Sequence, residues 1–305
     1  MNITSIDSYV TQLTFWETKG YKILFSTFLV IASLFISSCI YLIIVLLIVF
    51  FTTPHVKENA RYILFAHMLI NDTLYLILAL VLSVAFMYLI YIPMPICYIM
   101  VSLAVTTFKV TPYNLAVMAL ERYIAICFPL RHIVLCTTQR SYFVIAVLWF
   151  IGTLPNIADF IVLIVTAEKS FFSKYLLCTH DSIILKPLQS SIRSFTLITS
   201  IILVSLIIMF TYIRVILIAR KTNSKSSSAS KAGRTLMLHA FQVLLSLLSL
   251  TSTFTESYKG EYVLILVSFN FLFFMCLPRL LSPLIYGLRD EVFRKYIKKM
   301  YSLKQ

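Results

Sequence analysis

The segment that decides the fold covers residues 23–51 and reads ILFSTFLVIASLFISSCIYLIIVLLIVFF. It contains no charged side chain, and six comparable apolar stretches follow it along the chain. A helix needs about 20 apolar residues to cross about 30 Å of hydrocarbon. Because lipid offers the backbone no hydrogen-bond partners, such segments must be helical. The sequence therefore predicts an all-α membrane protein with seven spanning helices.

The composition excludes several other classes of protein. The 305 residues are 60% hydrophobic and only 12% charged, and the mean hydropathy is +0.93. A soluble domain with so few charges could not cover its surface with polar groups. The net charge of +14 does not indicate a nucleic-acid binder, because the basic residues lie between apolar spans. We find no nucleophile, metal-ligand or phosphate-loop pattern, so we expect no enzyme and no cofactor.

The predicted spans divide the chain into three parts. They cover residues 23–51, 62–90, 97–127, 141–166, 194–219, 235–255 and 262–288. We expect residues 1–22 to be an extracellular N-terminus without a cleavable signal, since they contain no continuous apolar stretch. Residues 23–288 then form the seven-helix domain. Residues 289–305 form a cytoplasmic amphipathic helix and tail.

The basic residues predict the orientation of the chain. Most Lys and Arg residues between spans follow the first, third, fifth and seventh spans. This excess marks the cytoplasmic side, which places the N-terminus outside. Asn2 begins an Asn-Ile-Thr glycosylation acceptor on that outer side. In the tail, apolar residues recur at helical spacing among basic ones, which favours a helix lying on the anionic inner leaflet.

Two ionisable residues lie at matching depths in different spans. Asp72 is about 15 Å from the inner end of the second span, and Arg279 is about 14 Å from the inner end of the seventh. A charge inside the membrane is costly and is a functional hypothesis by default. We predict an Asp72–Arg279 ion pair. The alternative is that each side chain is hydrated separately.

Lys109 lies near the middle of the third span, and two interpretations remain open. In the first, its ammonium group lines a ligand cavity and holds an anionic or polar ligand. In the second, it forms a structural pair with Asp159, which lies about 7 Å further out along the fourth span. A lysine side chain is long enough to cover that difference.

A longer motif identifies a family. Residues 118–132 read MALERYIAICFPLRH, which resembles the signature at the inner end of the third helix in odorant receptors, a group of rhodopsin-like G-protein-coupled receptors. Asp72, Trp149 and Tyr212 match family positions, as do the segments 231–239 and 283–290. The short sequences Glu-Arg-Tyr at residues 121–123 and Leu-Pro-Arg at residues 277–279 look most like those of the fish and amphibian receptors. The chain departs from the family at Ser282, where Asn is usual, and near Ile43 in the first span.

The resemblance implies a disulfide on the outer side and an ion pair on the inner side that opens when the receptor is activated. The disulfide would join Cys97 to Cys178 in the second outer loop. Arg122 would pair with Glu121 at rest and turn toward a G protein when the sixth helix swings outward. The implied coupling residues are Glu121, Arg122, Tyr123, Tyr212, Pro283 and Tyr286. The alternative is that Arg122 only anchors the helix at lipid headgroups.

The resemblance also implies a ligand site in the outer half of the bundle. By position, the candidates are Ala104, Phe108, Lys109, Thr196, Ser200, Leu247, Leu250 and Phe254. For the apolar members, plain helix packing is an equally good explanation. The implied function is an odorant receptor that binds a small molecule and activates a heterotrimeric G protein. It would lie in the plasma membrane of olfactory sensory neurons, in contact with lipid and without nucleic acid.

Two alternatives differ in function. One is a rhodopsin-like receptor for an endogenous metabolite. The other is a seven-helix transporter or channel that uses Lys109, Asp72 and Arg279 as a charge relay. A retinal-binding opsin is disfavoured, because the seventh span has no lysine to form a Schiff base.

Overall fold

The computed structural model describes residues 19–179, 181–221, 241, 244–245, 248, 269–284 and 293–295. Five helices within these residues are long and apolar enough to cross a membrane. We number them first to fifth: Lys19–Thr52, Ala60–Met87, Met94–Cys127, Thr138–Thr166 and Pro187–Lys221. Each overlaps one of the first five predicted spans. The positions described in the sixth predicted span, residues 241, 244–245 and 248, are also helical.

The seventh predicted span contains a described segment of two parts. A π-helix, Asn270–Cys276, continues directly into an α-helix, Leu277–Ser282. We call these residues the seventh-span segment. Shorter helices connect the spans or cap the outer side. They are Pro54–Lys57, Pro129–Leu135, Lys169–Ser173 and Asp181–Ile183.

Local sequence signals account for several helix starts. Asn59 accepts a hydrogen bond from the Arg61 amide at 3.1 Å and begins the second helix. Thr137 begins the fourth helix with a contact from the Arg140 amide at 3.4 Å. The helix Pro129–Leu135 carries Pro at its first position, where no amide proton is needed. The two inner connections that the structure describes in full thus each end with a capping residue, Asn59 and Thr137.

The fifth helix begins earlier than predicted. It starts at Pro187, whereas hydrophobicity alone places the span at residues 194–219. Polar residues can continue a helix beyond the hydrocarbon, so apolar patterning underestimates its length. Gln189 Oε1 accepts hydrogen bonds from the Leu185 and Lys186 amides, at 2.8 and 3.1 Å, and holds this first turn. Arg193 therefore lies on the fifth helix and not in an outer loop.

A small sheet lies on the outer side, which the sequence did not predict. Strand β1, Tyr91–Pro93, pairs antiparallel with strand β2, Tyr175–Leu177. The Met94 amide also donates to the Lys174 carbonyl at 2.9 Å. This ladder brings the second outer loop to the start of the third helix.

The third helix lies at the centre of the described bundle. It packs against the second, fourth and fifth helices, and a larger share of it is buried than of any other described spanning helix. Gly152 of the fourth helix makes one close approach possible, since a Cβ there would lie 3.0 Å from Val110 Cγ2. The fourth helix presents large apolar side chains outward, including Phe143 and Phe150, as a lipid-facing helix does.

An apolar cluster fills the inner half of the bundle. Its members include Ile43, Met68, Leu69, Leu115, Val204 and Phe293. Phe293 is 1% exposed, and its ring lies 5.6 Å from that of Tyr62 and 5.7 Å from that of Phe65. Residues 293–295 are helical and belong to the predicted amphipathic tail helix. The rest of that helix lies outside the described residues.

Candidate functional site

The structure brings Asp72 and Arg279 together in the interior. Asp72 is 0% and Arg279 is 3% exposed, and Arg279 Nε lies 3.6 Å from Asp72 Oδ1. Thr111 of the third helix donates a hydrogen bond of 2.7 Å to the same carboxylate oxygen. The acid thus connects three spanning segments. The pair lies where the equal depths of the two residues predict it.

Aromatic rings hold the Arg279 guanidinium in place. Its central carbon lies 3.7 Å from the centroid of the Tyr75 ring and 5.4 Å from that of Phe108. Arg279 also donates to the Met275 carbonyl one turn earlier, and the Tyr75 hydroxyl lies 3.0 Å from the Met275 sulfur. Stacking on aromatic faces suits a planar guanidinium. The buried cation therefore has both charged and aromatic partners.

Buried amides support this centre from the second and third helices. Asn71 Nδ2 donates to the Thr107 carbonyl at 2.8 Å and to Thr111 Oγ1 at 2.9 Å. Asn114 Nδ2 donates to the Leu64 carbonyl at 2.9 Å. Sequence reasoning missed these residues. The available signal was a polar side chain within an apolar span, which usually finds a partner on a neighbouring helix.

A second polar centre lies between the third, fourth and fifth helices. Lys109 is 6% exposed, and its Nζ lies 3.4 Å from Thr196 Oγ1. Asp159 pairs with Arg193 of the fifth helix. This pairing differs from the second interpretation of Lys109, in which its ammonium group would pair with Asp159. Its physical cause is the early start of the fifth helix, which places a second cation opposite the acid.

Ser200 belongs to the same centre. Its hydroxyl donates to the Thr196 carbonyl at 2.6 Å and forms a hydrogen bond with the Tyr113 hydroxyl. Lys109, Thr196 and Ser200 are thus connected, as candidates for one site should be. Further polar contacts join the third and fourth helices, where Asn156 Nδ2 donates to Thr106 Oγ1 at 2.8 Å.

Of the other ligand-site candidates, the structure describes Phe108 and Ala104. Phe108 packs against Tyr75, with ring centroids 5.7 Å apart, and so faces the Arg279 centre. Ala104 is half-buried on the third helix, where its carbonyl accepts a bond from Thr107. Leu247, Leu250 and Phe254 lie outside the described residues, as do Asn2 and Tyr286.

The inner end of the third helix differs from the expected resting arrangement. Glu121 Oε1 lies 2.8 Å from His132 Nε2, so within the described chain Glu121 pairs with His132 and not with Arg122. The short helix that begins at Pro129 returns His132 to the third helix. This corrects the pairing that the resemblance implied for Glu121.

Aromatic residues surround this inner end. The Tyr123 ring lies 5.8 Å from Phe128 and 5.6 Å from Phe210, which connects the third and fifth helices. Tyr212 packs against the inner apolar cluster, and Pro283 is buried. Trp149 donates to His67 Nε2 at 2.9 Å, a contact that the sequence did not predict.

On the outer side, the structure contains the expected disulfide. Cys97 and Cys178 are bonded, with their Cα atoms 5.5 Å apart. Both are buried in a cluster with Met94, Leu163 and Ile183. The bond joins the third helix to the residue that directly follows β2, so the outer loop is attached next to the start of the helix that carries Lys109. The prediction of this bridge is confirmed.

Comparison with known proteins places this geometry in a family. Odorant receptor 131-2 of Danio rerio is 28% identical over 258 residues, which is 83% of this chain and 79% of that protein. Olfactory receptor 2T5 of Homo sapiens is 28% identical over 203 residues, which is 63% of this chain and 62% of that protein. The family of seven-transmembrane receptors of the rhodopsin type matches residues 42–287. With most of its length matched, this multi-pass membrane chain belongs to the rhodopsin family of seven-transmembrane receptors.

Proposed function

We propose that this receptor is an odorant receptor that couples to a heterotrimeric G protein. The observation that carries the proposal is the motif of residues 118–132, at the inner end of the central helix. Relatives named as odorant and olfactory receptors support it. A member of this family is a receptor rather than an enzyme or a transporter.

The ligand would bind in the outer half, near Lys109, Thr196 and Ser200. These side chains combine a buried cation with hydroxyl groups, and a small-molecule site needs only a few such polar groups among apolar ones. Ala104, Phe108, Leu247, Leu250 and Phe254 stay predicted members of the site. A ligand changes the receptor only by binding the active state more tightly than the resting one.

Arg122 would transmit the change to the G protein. It lies one turn and a half from the inner end of the third helix, Met94–Cys127. In the active state its guanidinium would contact the G protein, with Tyr123, Tyr212, Pro283 and Tyr286 supporting the open arrangement. Glu121 would act through His132, since that is the contact that it makes here.

The cellular setting follows from this function. The receptor would lie in the plasma membrane of olfactory sensory neurons. Its first 22 residues would be extracellular and glycosylated at Asn2, and residues 289–305 would lie on the inner leaflet. These assignments rest on the charge pattern and the motif.

The test is a screen of odorants on cells that express the chain, with cyclic-nucleotide production as the readout. Arg122→Ala should abolish the response while surface delivery persists. Arg140→Ala removes an exposed arginine on the same face and should keep the response. A full response from Arg122→Ala would contradict the role of this residue, and a complete lack of odorant responses in the delivered wild type would contradict the function.

A further inference from the structure

Three ionisable side chains in the outer half form one connected cluster, in which Lys109 and Asp159 are buried and Arg193 is half-buried. We call Lys109, Asp159 and Arg193, together with Thr196, the outer charge cluster. Lys109 Nζ lies 3.4 Å from Thr196 Oγ1, and that hydroxyl donates to the Arg193 carbonyl at 3.0 Å. The Arg193 guanidinium pairs with Asp159. The cluster thus connects the third, fourth and fifth helices.

The charges in this cluster do not balance. It holds two basic side chains and one carboxylate, and the carboxylate is paired with Arg193. Lys109 is 6% exposed, and among the described residues its hydrogen-bond partner is a neutral hydroxyl at the long end of the distance range. A buried ammonium group without a counter-ion is costly. Either the amine loses its proton, or an anion binds beside it.

We propose that the outer charge cluster binds the carboxylate of a small monoanionic ligand, which accepts a charge-assisted hydrogen bond from Lys109 Nζ. The inference rests on the proposed function and names the chemical class of its odorants. Among the described side chains the cluster carries one positive charge in excess, which matches one negative charge on the ligand. A phosphate or sulfate dianion would leave one negative charge buried without a partner, which carries the same kind of cost.

The placement of the cluster supports a ligand-binding role over a purely structural one. A structural ion pair needs one cation for the acid, and Arg193 already supplies it. Lys109 is then not required to neutralise Asp159, yet it remains buried in the central helix. Thr196 and Ser200 here donate their hydroxyl protons to the Arg193 and Thr196 carbonyls. By rotating away from its carbonyl, either hydroxyl would donate to the second carboxylate oxygen instead.

The experiment measures binding directly, without a G protein. The receptor is purified in lipid nanodiscs, and its unfolding midpoint is followed at pH 7.4 with increasing concentrations of linear monocarboxylates from propanoate to octanoate. The matching primary amides have nearly the same shape and no charge. At least one carboxylate should raise the midpoint in a saturable manner, because binding to the folded state stabilises it. Its amide should bind at least about tenfold more weakly, since it lacks the charge-assisted bond.

Three variants connect the effect to the cluster. Lys109→Gln keeps most of the side-chain volume and should lose the preference for carboxylate over amide. Lys109→Arg keeps the charge and should retain that preference. It shows whether a loss in Lys109→Gln comes from the missing charge or only from poor folding. Lys169→Gln makes the same substitution at an exposed outer lysine and should leave the preference unchanged.

The outcomes separate this inference from the proposed function. If neutral odorants activate the receptor in cells while no carboxylate is preferred over its amide, the odorant function stands and the anion site is wrong. If carboxylates bind through Lys109 while no odorant activates a G protein, the anion site stands and the proposed function fails. A carboxylate preference that survives in Lys109→Gln would also overturn the inference.

Discussion

Arg279 shows what a single buried cation requires of its neighbours. Its partners are Asp72 at 3.6 Å, the face of Tyr75 at 3.7 Å and the Met275 carbonyl. Taking an ion pair out of water is costly, so such a pair persists only when further groups satisfy it. Here Thr111 also donates to the acid at 2.7 Å. The pair is best understood as part of the framework that positions the third helix.

If Asp72 and Arg279 form a structural pair, removing one of them should lower the stability of the receptor. Arg279→Gln leaves the Asp72 carboxylate buried without its cation and should cost about 3–5 kcal/mol of stability. The double variant Asp72→Asn with Arg279→Gln should recover a large part of that loss, because neither charge remains. Thermal unfolding of the purified receptor in detergent measures both effects.

The control for this comparison is Arg131→Gln, at an exposed inner arginine, which should change stability by less than about 0.5 kcal/mol. If the double variant is no more stable than Arg279→Gln alone, the two charges do not act as a pair.

At the residue scale, sequence alone predicted some contacts and missed others for identifiable reasons. The equal depths of Asp72 and Arg279 are visible in the sequence, because helical rise converts residue number into depth. The partner of Asp159 is not visible in the sequence, since Arg193 lies in the polar first two turns of the fifth helix, which hydrophobicity does not mark as helix. The partner of Glu121 depends on how the chain turns after Pro129, which no local pattern specifies.

At the scale of elements, the disulfide and the two strands hold the second outer loop over the third helix. Cys178→Ser should remove about 2–5 kcal/mol of stability, because the unfolded chain is then no longer constrained. Antibody labelling of an extracellular tag should show reduced surface delivery. Cys136→Ser changes a free cysteine of the inner connection and should be delivered normally, so equal delivery of both variants would contradict the structural role of the bridge.

Gly152 controls the distance between the third and fourth helices. A Cβ at this position would lie 3.0 Å from Val110 Cγ2 and 3.4 Å from Thr106 Cγ2. Gly152→Ala should therefore destabilise the receptor by about 1–3 kcal/mol, as expected for overpacking. Val110→Ala removes the methyl groups in the way but leaves a cavity of its own at a buried position, so the double variant should lose less stability than the sum of the two single losses. Unfolding midpoints of the single and double variants test this, and additive losses would show that the two positions do not touch.

At the scale of the whole molecule, the pattern of long apolar stretches was sufficient to predict a bundle of spanning helices. Long uncharged stretches predict spanning helices because lipid leaves the backbone no alternative, and five described helices coincide with them. The outer sheet was not predictable in this way, because Tyr91–Pro93 and Tyr175–Leu177 are three-residue strands without alternation. The connections between helices depend on tertiary contacts rather than on local pattern.

The proposed function involves the whole molecule, because a ligand bound near Lys109 would have to change the surface around Arg122. Coupling over this distance requires two states of the bundle that differ in affinity for both partners. The third helix, Met94–Cys127, contains both residues and packs against the second, fourth and fifth helices. We therefore propose that this helix couples the proposed ligand site to the proposed G-protein surface.

The most direct test is nucleotide exchange on a purified heterotrimeric G protein by the receptor in nanodiscs, with and without an odorant found in the cell screen. We expect the odorant to accelerate exchange with the wild-type receptor and to have no effect with Arg122→Ala. Unchanged exchange with the wild type, under conditions in which the odorant is bound, would contradict the account.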